Sequence, residues 1–129
     1  MIMEKPLILV VDDESDSLAY LFDLLHNEGY RVLPTSNPLE ALEQAAKKKP
    51  SLIISDLRMP DLDGMELLER VRSMSPRTRV ILLTAYGDWE MFQDVVRKGG
   101  EAMLLKPSSN EEILRSVRRA LDEVERCSP

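Results

Sequence analysis

Five short apolar runs, each followed by a segment with helical spacing, constrain this chain more than any other feature. The runs are Leu7–Val11, Arg31–Leu33, Leu52–Ile54, Val80–Leu83 and Ala102–Leu105. Four are nearly continuous in apolar residues, as parallel strands covered on both faces require. The second is short and mixed, which suits an edge strand. Between the runs, Leu18, Leu21, Phe22 and Leu25 make an apolar helical stripe, and Phe92, Val95 and Val96 make another. Asn37-Pro38-Leu39-Glu40, Asp63-Gly64-Met65-Glu66 and Ser109-Asn110-Glu111-Glu112 carry capping-box signatures, and Asp88 can cap a fourth helix. Gly29, Gly99 and Gly100 are helix stop signals. Repeated βα units with short connections predict an α/β fold, a three-layer doubly wound (βα)5 with a parallel sheet and right-handed crossovers. Ligands in such folds sit beyond the carboxyl ends of the strands.

Length and charge narrow the functions open to such a fold. A chain of 129 residues predicts one domain, burying roughly two-thirds of its unfolded surface. Its net charge of −6 argues against a nucleic-acid-binding face and fits a domain that binds cations or docks on basic surfaces. The lone Cys127 excludes an internal disulfide framework and points to a reducing cytoplasm. The opening MIMEKPLILVVDDE has an apolar run too short for a membrane span or a signal peptide.

The strand tips carry the chemistry. Strand 1 ends in Asp12-Asp13, strand 3 in Asp56, strand 4 in Thr84 and strand 5 in Lys106-Pro107. In a parallel sheet all of these converge on one edge. Three carboxylates held close together repel and raise one another's pKa unless a cation intervenes. Lys106 supplies one positive charge, and a hard divalent ion such as magnesium suits the remaining all-oxygen site. A phosphoryl group could then be held between metal and Lys106, with Thr84 bonding one of its oxygens and a carboxylate attacking phosphorus. Taken singly, Asp13 reads as a cap for helix 1, Thr84 as a strand-end residue and Lys106 as a surface lysine. Asp56 is harder to explain that way, because it directly follows a core strand and burying a lone carboxylate is costly. The conjunction, one such group on each of four strands, favours a site.

The motifs ILVVDDE, IISDLRMPDLDGMELL, VILLTAYGD and LLKP together resemble the receiver domain of two-component response regulators, in the CheY-like superfamily. The resemblance runs from about Leu7 to Val124, leaving a short tail over 125–129. It implies a flavodoxin-like sheet in the order 2-1-3-4-5. It implies that Asp56 accepts a phosphoryl group from a phosphohistidine on a sensor histidine kinase or phosphotransfer protein. Asp13 and Asp56 would bind magnesium (or manganese) directly, with the backbone carbonyl of Arg58, and Asp12 would act through a metal-bound water. Thr84 and Lys106 would contact phosphoryl oxygens, and the Lys106-Pro107 bond would be cis. Phosphorylation would shift a pre-existing equilibrium and re-present the face of helix 4, strand 5 and helix 5, a route to a homodimer.

Three positions tune this expectation. Met103 stands three residues before Lys106, where the family carries a switch aromatic. A flexible thioether there predicts repacking in place of a two-position ring flip. Arg58 and Tyr86, each two residues beyond a site residue, are expected to modulate hydrolysis of the acyl phosphate. His26 reads as a surface helix residue, and Trp89 as a helix-start residue in partial packing beside the output face. Leu114, Val117, Leu121 and Val124 read as the core-facing stripe of helix 5, and the charges around them as a solvated face.

Two other classes fit less well. An aspartyl-phosphate phosphohydrolase would want an acid two residues after its nucleophile, where this chain has Arg58. A nucleotide-binding module would want a glycine-rich loop after strand 1, and VVDDESDS has no glycine. The sequence contains no helix-turn-helix, so the expectation is a stand-alone receiver or the N-terminal part of a larger regulator.

Overall fold

The structure, a computed structural model, describes residues 5–85 and 87–127, with the backbone alone over 123–127. Tyr86 and the side chains of Val124 and Cys127 therefore lie outside the described residues. The elements run β1 (Leu7–Val11), α1 (Ser15–Asn27), β2 (Arg31–Thr35), α2 (Pro38–Lys48), β3 (Leu52–Asp56), α3 (Gly64–Met74), β4 (Arg79–Thr84), α4 (Trp89–Arg97), β5 (Ala102–Leu105) and α5 (Asn110–Cys127). All five strands are parallel, in the order β2-β1-β3-β4-β5. The sheet is therefore the expected doubly wound one, with β2 at an edge.

Alternation along the strands divides the interior in two. Leu9, Val11, Ile53, Val80 and Leu82 face the helices α2, α3 and α4, where they meet Ala41, Leu67, Leu68, Val71 and Val95. Ile8, Val10, Leu52, Ile54, Ile81 and Leu83 face α1 and α5, where they meet Leu21, Leu25, Ile113, Val117 and Ala120. Successive strand residues point to opposite faces, so near-continuous aliphatic runs are what a sheet covered on both sides demands.

Several local expectations need correction. β2 continues through Pro34 to Thr35, and its edge position makes a proline tolerable there. Asn37 does cap α2, accepting the Leu39 N–H at 2.9 Å, but its own N–H donates to Thr35 Oγ1 at 3.2 Å. Thr35 thus takes the place that Glu40 would fill in a capping box. Asp63, Asp88 and Ser109 accept the N–H groups of Glu66, Met91 and Glu112 at 2.9, 2.8 and 3.1 Å. Asp13 caps nothing: Glu14 holds the N-cap position of α1 without a side-chain bond.

The apolar stripe expected on α4 is mostly outside. Only Val95 is buried, while Phe92, Val96 and Trp89 are exposed, Trp89 by 69%. Trp89 packs on Phe92, with ring centroids 5.4 Å apart, and not into the body of the protein. On α5 the buried positions are Ile113, Val117, Ala120 and Leu121, with Leu114 half-buried, so the core-facing reading of that helix holds over its described side chains. His26 is exposed and stacks on Phe22.

The two interiors share only the sheet. Leu67→Ala on one side and Ile113→Ala on the other are each expected to cost about 2–5 kcal/mol. Urea unfolding of the double variant should return their sum to within about 0.5 kcal/mol, because the sites share no partners.

Candidate functional site

The strand registers decide which residues reach the carboxyl edge together. Val11 pairs with Thr35 on one side and Ser55 on the other, Asp56 pairs with Leu83, and Thr84 pairs with Leu105. Asp12, Asp56, Thr84 and Lys106 therefore end or follow neighbouring strands at nearly one level. Asp56 and Thr84 are thus the last residues of their strands, and Asp12 and Lys106 directly follow theirs.

Asp12 is buried, with 1% of its surface exposed. Its Oδ1 accepts the Glu14 N–H at 2.9 Å, and its Oδ2 accepts from Lys106 Nζ at 3.2 Å. Lys106 Nζ also lies 3.7 Å from Asp56 Oδ2. One ammonium thus bridges two carboxylates on different strands. The lysine reaches them from a loop held by the Lys106 N–H, which donates to the Thr84 carbonyl at 2.7 Å, and the Lys106-Pro107 bond is cis. Asp13 is exposed, beside the other two acids. Carboxylate oxygens of Asp12, Asp13 and Asp56 all lie within 4.8 Å of one another.

Burial pushes the Asp56 carboxyl above its usual range. Lys106 pulls it down, Asp12 pushes it up again, and backbone N–H groups of Arg58 and Leu57 bonded to the carboxylate lower it. The net shift is upward because burial outweighs the pull of Lys106 and of the two N–H groups. An all-oxygen cluster of three acids facing one ammonium is a site that a hard divalent cation would complete.

Of the other residues singled out from sequence, Thr84 is buried as the last residue of β4, on the same edge. Arg58 is exposed on the loop after β3. Met103 is half-buried on β5, packed toward α4. Some residues around the site carried no readable signal. Gly87 lies so close to Leu105, Met103 and Thr84 that a Cβ there would fall 2.6, 2.9 and 3.3 Å from their side chains. A mainly apolar groove of about 290 Å³ opens beside Lys106, between Tyr20, Leu21, Leu83, Pro107 and Ile113. No pattern in the sequence marks it, because its walls come from α1, β4 and the start of α5.

The raised pKa of Asp56 has a stability consequence with a definite sign. Its charged form is disfavoured in the folded state, so the folded chain holds its proton longer than the unfolded chain does. Stability therefore falls as pH rises from the ordinary carboxylate value through the raised folded one. In metal-free buffer, Asp56→Asn should be more stable than wild type at neutral pH, with the gain shrinking as pH falls through the raised folded value and gone below the ordinary carboxylate value. Thermal unfolding across pH checks this.

Known proteins share both the sequence and the fold. Residues 8–118 match the family described as response regulator receiver domain. The sporulation initiation phosphotransferase F of Bacillus subtilis is 35% identical over 121 residues, 94% of this chain and 96% of its own. The DNA-binding transcriptional regulator NtrC of Escherichia coli is 33% identical over 119 residues, 92% of this chain and 25% of its own. The chain thus spans nearly all of one relative and about a quarter of another. A receiver domain from Clostridium thermocellum superimposes with a TM-score of 0.91 at 29% identity, covering 95% of this chain and 99% of that one. A CheY-like receiver domain from Methanospirillum hungatei gives 0.92 at 29% identity, covering 97% and 100%. With its acids and its lysine gathered on one edge of a five-stranded parallel sheet, the chain belongs to the response regulator receiver domain family.

Proposed function

We propose that Asp56 is the phosphoacceptor of a two-component receiver, taking a phosphoryl group from a phosphohistidine on a sensor histidine kinase or phosphotransfer protein. The observation that carries this reading is Asp56 itself: a mostly buried carboxylate at a strand end, 3.7 Å from Lys106 and beside two further acids. The reading takes residues 1–129 as one receiver domain, with its core over about 7–124 and a short tail at 125–129, acting in the cytoplasm. Among the described residues, no helix is long and apolar enough to cross a membrane.

Asp13 and Asp56, the Arg58 carbonyl and, through water, Asp12 would hold magnesium or manganese. The ion would supply the positive charge that three acids and the incoming phosphoryl oxygens call for. An Asp56 oxygen attacks phosphorus as the P–N bond to imidazole breaks, and the electron pair of that bond leaves with the imidazole. Lys106, drawn toward Asp12 and Asp56, holds one phosphoryl oxygen, and the Thr84 hydroxyl bonds another. The work is positioning and charge neutralisation of a self-directed transfer, without turnover of an external substrate. The groove beside Lys106 gives the donor an apolar seat next to the acceptor. The exposed Trp89, Phe92, Val96 and Leu105 make α4 and β5 the face for signalling, including homodimerisation of the α4-β5-α5 kind.

Incubation with a small phosphodonor and magnesium is expected to label wild type. Asp56→Asn should lose the label, and Lys106→Ala should slow labelling by about 100-fold. Arg58→Ala and Tyr86→Ala should each change the phospho-lifetime. Equal labelling of Asp56→Asn sinks the acceptor assignment, and unchanged lifetimes in both other variants remove the modulators.

Met103 stands where a rotating ring would otherwise report the phosphorylated state, and it packs against a side-chain-free Gly87. We expect it to repack within its site. Crystal structures with and without a phosphoryl mimic check this, and a large two-position flip coupled to Thr84 would argue against it.

A further inference from the structure

Gly64 opens α3, where alanine is the better helix former. Its φ is not in the left-handed region, which among the described glycines holds Gly29 and Gly99. Backbone freedom therefore does not explain it, but its neighbours do. A Cβ on Gly64 would lie 2.7 Å from the carbonyl oxygen of Asp56, 2.9 Å from Cα of Leu57 and 3.1 Å from Cδ2 of Leu82. The first two are backbone atoms with no rotamer to give way. The Gly64 N–H also donates to the Leu57 carbonyl at 2.8 Å. The first turn of α3 thus rests directly on the Asp56–Leu57 peptide.

The loop that joins the two has little slack. Leu57 and Leu62 are buried at either end. Asp61 turns the chain at φ 71, with the Leu62 N–H reaching back to the Pro60 carbonyl at 2.8 Å. On its other side, the same stretch of backbone offers the Leu57 and Arg58 N–H groups to the Asp56 carboxylate. The peptides that aim the carboxylate are the ones that Gly64 touches.

We propose that Gly64 is a positioning residue for Asp56: its missing side chain lets α3 clamp the Asp56–Leu57 peptide and hold two backbone donors on the carboxylate. This deepens the phosphoacceptor reading and rests on it for its effect on labelling. In Gly64→Ala the amide resonances of Leu57 and Arg58 should shift and lose protection from hydrogen exchange. Labelling by a small phosphodonor with magnesium should fall at least tenfold at a temperature where circular dichroism shows the variant folded. Gly100→Ala is the matched control. A Cβ there meets Val95 Cγ1 at 2.5 Å and the Val95 carbonyl at 3.1 Å, at the opposite end of the sheet. It should lower the melting temperature and leave labelling within twofold of wild type.

Leu82→Val, added to Gly64→Ala, vacates the one side chain in the way and leaves the backbone contact. It should fold more readily and label no faster than the single variant. Should Gly64→Ala not fold, this pair carries the same measurements. Wild-type labelling by Gly64→Ala, or rescue by Leu82→Val, overturns the proposal, as does equal slowing in Gly100→Ala. The amide readout involves no phosphoryl transfer. If Asp56→Asn labels like wild type, the acceptor reading falls while the amides still decide whether Gly64 holds Asp56.

Discussion

The contact of Lys106 with Asp12 is the interaction on which the functional edge depends. Asp12 is nearly without solvent, and a buried carboxylate is costly unless it is paired and hydrogen-bonded. It has both, a lysine at 3.2 Å and the Glu14 N–H at 2.9 Å. The same ammonium reaches Asp56, so one side chain ties the end of β5 to the ends of β1 and β3. That tie draws the acids of two strands toward one point, and it leaves a surplus of negative charge. Three acids facing one ammonium make an edge that could hold a metal ion.

Much of this was legible in the chain. Aliphatic runs such as LILVV and LIIS can be buried on both faces of a sheet and hardly anywhere else, so the layers followed from them. Asp56 was legible because it breaks such a run without a turn between. Other features were not. The α4 stripe has helical spacing but no cover, since spacing records which residues share a face and says nothing of what meets that face. Thr35 in place of Glu40 at the start of α2 depends on where β2 ends. The close approach of Gly64 to the Asp56 carbonyl depends on tertiary geometry, and a glycine after an N-cap aspartate gives no sign of it.

α4 is the least embedded of the helices flanking the site. Val95 is its one buried residue, and Lys98, just past its end, pairs with Glu69 of α3. Its first turn meets solvent through Trp89 and Phe92. Met91 packs on the core from the same turn, so α4 is held by Met91 and Val95 while Trp89 and Phe92 face outward. The loop leading into it passes Gly87, where Thr84, Met103 and Leu105 crowd the space that a side chain would need.

The division of the interior by the sheet has a consequence for signalling. Met103 and Val95 pack on the side of α2 and α3, whereas Leu21, Leu83 and Ile113 of the groove beside Lys106 pack on the side of α1 and α5. Five paired strands stand between them. The end of β5 borders both sides, because the Lys106 N–H donates to the Thr84 carbonyl while the Lys106 side chain lines the groove. The surface that would receive a donor and the surface that would announce the result meet there, where the exposed Leu105 directly precedes Lys106.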